Sequence, residues 1–164
     1  ALKRHGHFNS VKEEIEYVNT YIILEKARFR EKLKIKRDLD PALFDYQVPV
    51  LTLQPLVENA IKHGVQPKVG PGTVEIIARL VNGEMLFIIR DDGVGISSDR
   101  LSKIFLPGYG SGNGVGLSNV HERLKSLFGE DYGLRITSEI NKGTSVYVRI
   151  PVKKALWQKE VAAQ

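Results

Sequence analysis

Thr73-Val74-Glu75-Ile76-Ile77-Ala78-Arg79-Leu80-Val81-Asn82-Gly83-Glu84-Met85-Leu86-Phe87-Ile88-Ile89-Arg90-Asp91 decides the fold. Two runs rich in β-branched and apolar residues flank Asn82-Gly83, the strongest short signal for a two-residue hairpin, so strands are expected over 73–81 and 84–91. A second hairpin is expected further on, with strands over 133–140 and 144–150 around Asn141-Lys142-Gly143 and a stop at Pro151. Upstream, Leu33, Ile35 and Leu39 are set against Lys34, Lys36 and Arg37, which reads as a strand over 33–39 ended by Asp40-Pro41.

Helical signals lie between these strands. Ser10 followed by Glu13 has the pattern of a capping box opening a helix over 11–32. Val11, Ile15, Val18, Ile22 and Phe29 recur there at helical spacing, as a core-facing stripe or a seam for a partner helix. Pro49 introduces a helix over 50–63, stopped by Gly64. A helix over 115–128 sets Leu117, Val120, Leu124 and Leu127 on one face, and a short one is expected near 99–104. The expected architecture is α+β: a two-layer sandwich, a mixed sheet of about five strands covered by about three helices on one face. A doubly wound fold is excluded, because helical crossovers between strands are not apparent.

The 164 residues make one domain's worth of chain, with 42% hydrophobic and 26% charged residues, enough to bury a core without staples. Lys and Arg number 24 against 19 Asp and Glu, a net charge of +5 spread along the chain, so no nucleic-acid partner is expected. The absence of cysteine excludes disulfides, thiol catalysis and cysteine-ligated metals. No apolar run reaches the roughly 18–20 residues of a membrane span, and the N-terminus has no apolar signal core. The chain begins at Ala1 without Met, as a piece of a longer protein would.

Three stretches carry chemistry. On the helix over 50–63, Glu58, Asn59 and Lys62 fall within an arc of about 100°, opposite Leu53, Leu56, Val57, Ala60 and Ile61. An amide oxygen and a carboxylate are hard donors suited to Mg²⁺, and a lysine beside them suits phosphate. An ordinary solvated helix face would carry the same residues. In Asp91-Asp92-Gly93-Val94-Gly95-Ile96, strand parity puts Asp91 on the face of Met85, Phe87 and Ile89, where a carboxylate needs a partner such as the exocyclic amine of adenine. Gly93 and Gly95 would let backbone approach a flat ligand, although a strand-ending turn also uses Asp and Gly. Gly108-Tyr109-Gly110-Ser111-Gly112-Asn113-Gly114-Val115-Gly116-Leu117 runs into a helix, as an anion cradle or a flexible loop. It lacks the βαβ setting of a dinucleotide fingerprint and the Gly-Lys-Ser/Thr of a Walker loop.

In this order the stretches resemble the GHKL superfamily, named for gyrase, a heat-shock chaperone, histidine kinases and mismatch-repair ATPases. Leu56-Val57-Glu58-Asn59-Ala60-Ile61-Lys62-His63-Gly64 looks like its N box, Asp91-Asp92-Gly93-Val94-Gly95-Ile96 its first glycine box, Gly112-Asn113-Gly114-Val115-Gly116-Leu117 its second, and Gly143-Thr144 its closing segment. The likeness covers about 33–151. Leu53-Gln54-Pro55-Leu56-Val57-Glu58-Asn59, Gly116-Leu117-Ser118-Asn119-Val120 and the run from Glu14 to Phe29 resemble LytS-type bacterial sensor histidine kinases.

The resemblance implies a Bergerat-type ATP-binding fold with ATP and Mg²⁺. Asn59 would hold Mg²⁺, Glu58 would act as acid/base, and Lys62 and His63 would line the phosphates. Asp91 would accept from the adenine amine, with Gly93, Gly95 and Ile96 beside the base and Thr144 bonding near it. Gly112, Gly114, Val115, Gly116 and Leu117 would wrap the phosphates. Residues 1–32 would end a linker from an upstream dimerisation and phosphoacceptor module, 33–152 would be the catalytic domain and 153–164 a tail. The partners implied are that upstream domain and a response regulator. The full-length protein would be a homodimer anchored in the bacterial inner membrane, with this domain cytoplasmic. The Pro-His-Phe-like acceptor segment of the family is absent; His5 and His7 stand in Arg4-His5-Gly6-His7, which does not match it. The stretch between the glycine boxes is too short for the chaperone and gyrase branches. Two other readings stand beside the kinase: a serine kinase of the anti-sigma type, and an ATP-sensing module without transfer.

Overall fold

The computed structural model describes residues 7–107 and 115–152. Strand β1 (Phe8–Ser10) leads into helix α1 (Val11–Phe29) through the expected capping box: Ser10 Oγ accepts from the Glu13 amide at 3.0 Å, and Glu13 Oε1 from the Ser10 amide at 2.9 Å. The helix ends before Lys32 because Arg30 turns to a φ of 53°, outside helical space, and a single 3₁₀ turn follows. Val11, Ile15, Val18 and Ile22 are buried and Phe29 packs on the same core, so the stripe faces inward.

Strand β2 (Leu33–Leu39) follows, then β3 (Gln47–Pro49), which pairs antiparallel with β1 in a small ribbon. Sequence reading missed this ribbon, since three-residue strands are too short to alternate visibly. Helix α2 (Leu53–Asn59) begins later than Pro49 suggested, because Leu51 takes a φ of 56°. Gly64 does not stop it. The helix widens into a π-helical turn over Ala60–Val65, and Gly64 lies inside that turn.

Strands β4 (Gly72–Val81) and β5 (Glu84–Asp91) form the hairpin, with Asn82 and Gly83 at φ of 52° and 76°, both left-handed as a type I′ turn requires. A short helix α3 (Ser98–Leu101), helix α4 (Val115–Phe128) and strands β6 (Arg135–Glu139) and β7 (Gly143–Pro151) complete the described chain. The main sheet has the order β2-β4-β5-β7-β6, antiparallel except for the parallel pair β2–β4. That pair is joined by a crossover through α2, which corrects the expectation that helical crossovers are lacking. It occurs once and does not build a doubly wound sheet.

The sheet face under the helices is apolar through register: Phe87 lies between Ala78 and Val148, and Ile89 between Ile76 and Val146. All are buried in the cluster that also holds Leu53, Leu56, Val57, Ile61, Leu117, Val120 and Leu124. Leu127, expected on the same stripe, is 41% exposed instead.

Candidate functional site

Helix α2 and its π turn divide as the wheel predicts. Leu53, Leu56, Val57, Ala60 and Ile61 are buried, Glu58 and Asn59 are half-buried, and Lys62 and His63 are exposed. Gln54 Nε2 donates to Glu58 Oε1 at 3.2 Å, one turn along the same face. The carboxylate, amide and ammonium therefore share one accessible flank, held by a helix whose other side is core.

The π turn carries this flank to the end of β5. Asp91 completes the row Met85, Phe87, Ile89 and is 6% exposed, the charged member of an apolar face. Its carboxyl group lies against Gly64, where a Cβ would come within 2.5 Å of Oδ1. The Gly93 amide donates to Oδ1 at 2.9 Å, so the carboxyl is half-satisfied rather than unpaired. Burial pushes the Asp91 carboxyl up to about 6, against the downward pull of the Gly93 amide and with the Asp92 charge adding to the rise. Asp92 behaves differently. Its Oδ1 accepts from the Thr73 amide at 2.7 Å and lies 3.5 Å from Lys68 Nζ, on an exposed side chain. Parity thus separates two adjacent acids into a buried group and a strand-end pair.

The glycines of this segment serve contacts other than the expected one. A Cβ on Gly93 would lie 2.1 Å from the carbonyl carbon and oxygen of Gly64, whose oxygen accepts from the Val94 amide at 3.0 Å. Gly95 has a φ of 75°, and a Cβ there would lie 2.1 Å from the Glu139 oxygen. Gly143, at a φ of 118°, would meet the Asp91 oxygen at 1.9 Å. The close approach that these glycines allow is of backbone to backbone, not of backbone to a flat ligand. Ile96, half-buried, donates its amide to Ser138 Oγ at 2.8 Å, and Ser138 Oγ stands 2.7 Å from Thr144 Oγ1. Thr144 is buried directly opposite Asp91 in the ladder.

Sequence reasoning gave Gly64 no task beyond stopping a helix and closing the N-box likeness, and it missed Ser138, which nothing in the sequence distinguishes from other strand serines. Gly112 and Gly114 lie outside the described residues. Val115 opens α4, Gly116 sits with its would-be Cβ 3.3 Å from Pro55 Cβ at the head of α2, and the Leu117 side chain is buried in the core. The start of α4 is thereby placed beside the start of α2. A cavity of about 480 Å³ opens at the same end of the sheet, but Lys36, Glu75, Arg90 and Ser145 in its wall lie on the face away from the helices, and none of Glu58, Asn59, Lys62 and His63 lines it. Asp91, Ser138, Gly143 and Thr144 also line this cavity, while the Asp91 carboxyl lies against Gly64 in the π turn that follows α2.

Among known proteins, residues 45–154 match the family described as histidine kinase-, DNA gyrase B-, and HSP90-like ATPases. The chain is 37% identical over 144 residues to the sensor histidine kinase YesM of Bacillus subtilis (strain 168), covering 88% of this chain and 24% of YesM. It is 36% identical over 145 residues to the sensor protein LytS of Bacillus anthracis, covering 87% and 25%. It thus spans about a quarter of the length of the curated relatives it matches. The catalytic domain of histidine kinase ThkA shares the fold, with a TM-score of 0.64 at 21% identity over 88% of this chain and 95% of that one.

Proposed function

Because the chain belongs to the family of histidine kinase-, DNA gyrase B-, and HSP90-like ATPases, we propose that it is the ATP-binding catalytic domain of a LytS-like sensor histidine kinase. It moves the γ-phosphoryl group of ATP to a histidine on a separate upstream domain, for relay to a response regulator. The observation that carries the reading is Asp91: a buried carboxyl on an apolar strand face, with one oxygen bonded to Gly93 and backed by a glycine that leaves room for it. Such a group suits a neutral, flat donor such as the adenine amine better than it suits water.

Each residue then has a task. Asp91 accepts from the adenine amine, with Gly93, Gly95 and Ile96 shaping the wall beside the base and Thr144 bonding near it. Gly112, Gly114, Val115, Gly116 and Leu117 wrap the phosphates, and of these Val115, Gly116 and Leu117 stand at the head of α4. Lys62 and His63 line the phosphates from the exposed flank of α2. Glu58 takes the proton from the attacking imidazole as the bond from nitrogen to phosphorus forms and ADP leaves with the bridging oxygen.

A divalent cation fits the donor set of α2. The Asn59 amide oxygen is hard, and among the described residues no three His, Cys, Asp or Glu side chains converge, so the remaining ligands would be phosphate and water, the environment Mg²⁺ prefers. Asn59 would hold it, and the ion would supply charge neutralisation on the phosphates. The whole protein is proposed to be a membrane-anchored homodimer with this domain in the cytoplasm. Among the described residues no helix is long and apolar enough to cross a membrane.

The test adds radiolabelled ATP and Mg²⁺ to this chain together with a separately made segment carrying the upstream histidine. Acid-labile, base-stable label on that segment is expected. Label that survives acid would identify a serine kinase instead, and binding without transfer a sensing module.

A further inference from the structure

Three helices meet at one residue outside the nucleotide-facing flank. Glu14, on the first turns of α1, is 2% exposed, yet the groups that hold its carboxylate are almost all backbone of another element. Oε1 accepts from the amides of Thr52 at 3.0 Å and Leu53 at 3.4 Å, and Oε2 from the amide of Leu51 at 3.2 Å and from Asn9 Nδ2 at 2.9 Å. These amides are the unsatisfied donors at the start of α2. Helix α2 has no side-chain cap of its own, because the Thr52 hydroxyl donates to the Pro49 oxygen at 2.7 Å. A carboxylate of α1 thus caps α2 in trans.

The third helix reaches the same point. Arg123 of α4 donates through Nη2 to the Leu51 oxygen at 2.7 Å, and Leu51 is held at a φ of 56°. Its Nε is buried with no partner among the described residues. Burial lowers the Arg123 guanidinium and the Glu14 charge opposes that effect, so the two groups sense each other across Leu51. Apolar stripes alone would let α1 slide or roll against α2. A buried carboxylate with four donors does not, since each displaced bond leaves a buried polar group unpaired.

We propose that Glu14 and Arg123 are positioning residues that lock α1 and α4 to the head of α2, so that the attitude of α1 sets the geometry of the Glu58–His63 flank. The inference rests on the nucleotide reading only for its functional consequence. A shift of α1 along its axis would pull the Leu51–Leu53 amides with it, and α2 carries that movement to Glu58 and Asn59.

The test compares Glu14→Gln with Ile150→Val, a core change at the far end of β7 chosen to match its loss of thermal stability. In Glu14→Gln, amide hydrogen exchange should rise about tenfold at Leu51–Leu53 and through Leu56–His63, the scale of a lost helix cap, while β4–β5 exchange stays at the Ile150→Val level. ATP affinity by calorimetry should fall about tenfold in Glu14→Gln and stay within twofold in Ile150→Val. Arg123→Lys, which keeps the charge and loses the planar donor, should show the same exchange pattern at lower amplitude, and carries the test if Glu14→Gln does not fold. Exchange that rises uniformly, or affinities that track stability alone, would overturn the proposal. If the unaltered chain binds no ATP, the nucleotide reading fails and the exchange pattern alone decides the coupling.

Discussion

Replacing Asp91 by Asn should make the nucleotide-free domain more stable and a worse binder. The carboxyl sits at about 6 against an ordinary 3.8, a rise of roughly two units caused first by burial. At 1.36 kcal/mol per unit this corresponds to a cost of about 3 kcal/mol for keeping the group ionised in the fold at neutral pH. The sign follows from the raised value: the group's favourable contribution is complete below pH 3.8 and is lost as pH rises through about 6. An Asn at this position carries no charge, and its Oδ1 can still accept from the Gly93 amide. Allowing for imperfect replacement, a gain of about 2 kcal/mol at pH 7.5 is expected, or roughly 4–8 °C in Tm for a domain of this size. The gain should shrink to about a third at pH 4.5 and vanish only below the unfolded value of 3.8. ATP binding should weaken by about 10- to 100-fold, since a hydrogen bond to a charged acceptor contributes about 1.5–3 kcal/mol. Thermal unfolding at the two pH values and titration calorimetry with ATP read both effects. A variant that melts lower at pH 7.5, or binds ATP within twofold of the original, would refute the role given to this carboxyl.

The other expectations concern its surroundings. Glu58→Gln should leave ATP affinity within about threefold and slow phosphoryl transfer by about 10²–10⁴, the range of a lost general base, as single-turnover kinetics would show. Gly93→Ala forces a methyl to 2.1 Å from Gly64 backbone and should cost about 3 kcal/mol or more, seen as a Tm fall of roughly 6–12 °C or as lost cooperativity. His121 Nδ1 accepts from the Leu134 amide at 2.9 Å while its ring stacks on Phe105 at 3.8 Å, and burial together with the Lys125 charge lowers its pKa. Its contribution to stability is therefore complete above about pH 6.5 and is lost as pH falls through the lowered folded value. An NMR titration should find the midpoint of the ring below 6.5, and a midpoint above it would contradict the geometry.

The parts legible from the sequence are those governed by period and turn chemistry. Asn82-Gly83 and strand parity placed Asp91 on the buried face and Asp92 off it, and α4 runs from Val115 to Phe128 as its apolar spacing requires. The parts that were not legible depend on partners distant in the chain. No local pattern marks Phe8–Ser10 as a strand, because its partner is Gln47–Pro49. Gly64 reads as a helix stop in isolation, and only the arrival of Gly93 and the Asp91 carboxyl explains why the chain passes through it in a π turn. Glu14 looks like one more acid in the first turn of an amphipathic helix, until Leu51–Leu53 are found against it.

The glycines around Asp91 change what the motif means physically. Gly64, Gly93, Gly95 and Gly143 each occupy a place where a Cβ would strike a carboxyl group or a backbone of another segment. Together they draw the end of α2, the end of β5 and the β6–β7 turn into contact closer than side chains permit. The effect is to hold the Asp91 carboxyl against Gly64 and the Gly93 amide, with the backbone of β5 clamped to the β6–β7 turn beside it. On the proposed nucleotide reading, a base would then meet a carboxyl group whose position is set by backbone contacts rather than by neighbouring side chains. Substituting a glycine of this set should accordingly act on stability first and on nucleotide choice second, the reverse order from a residue that touches the base directly.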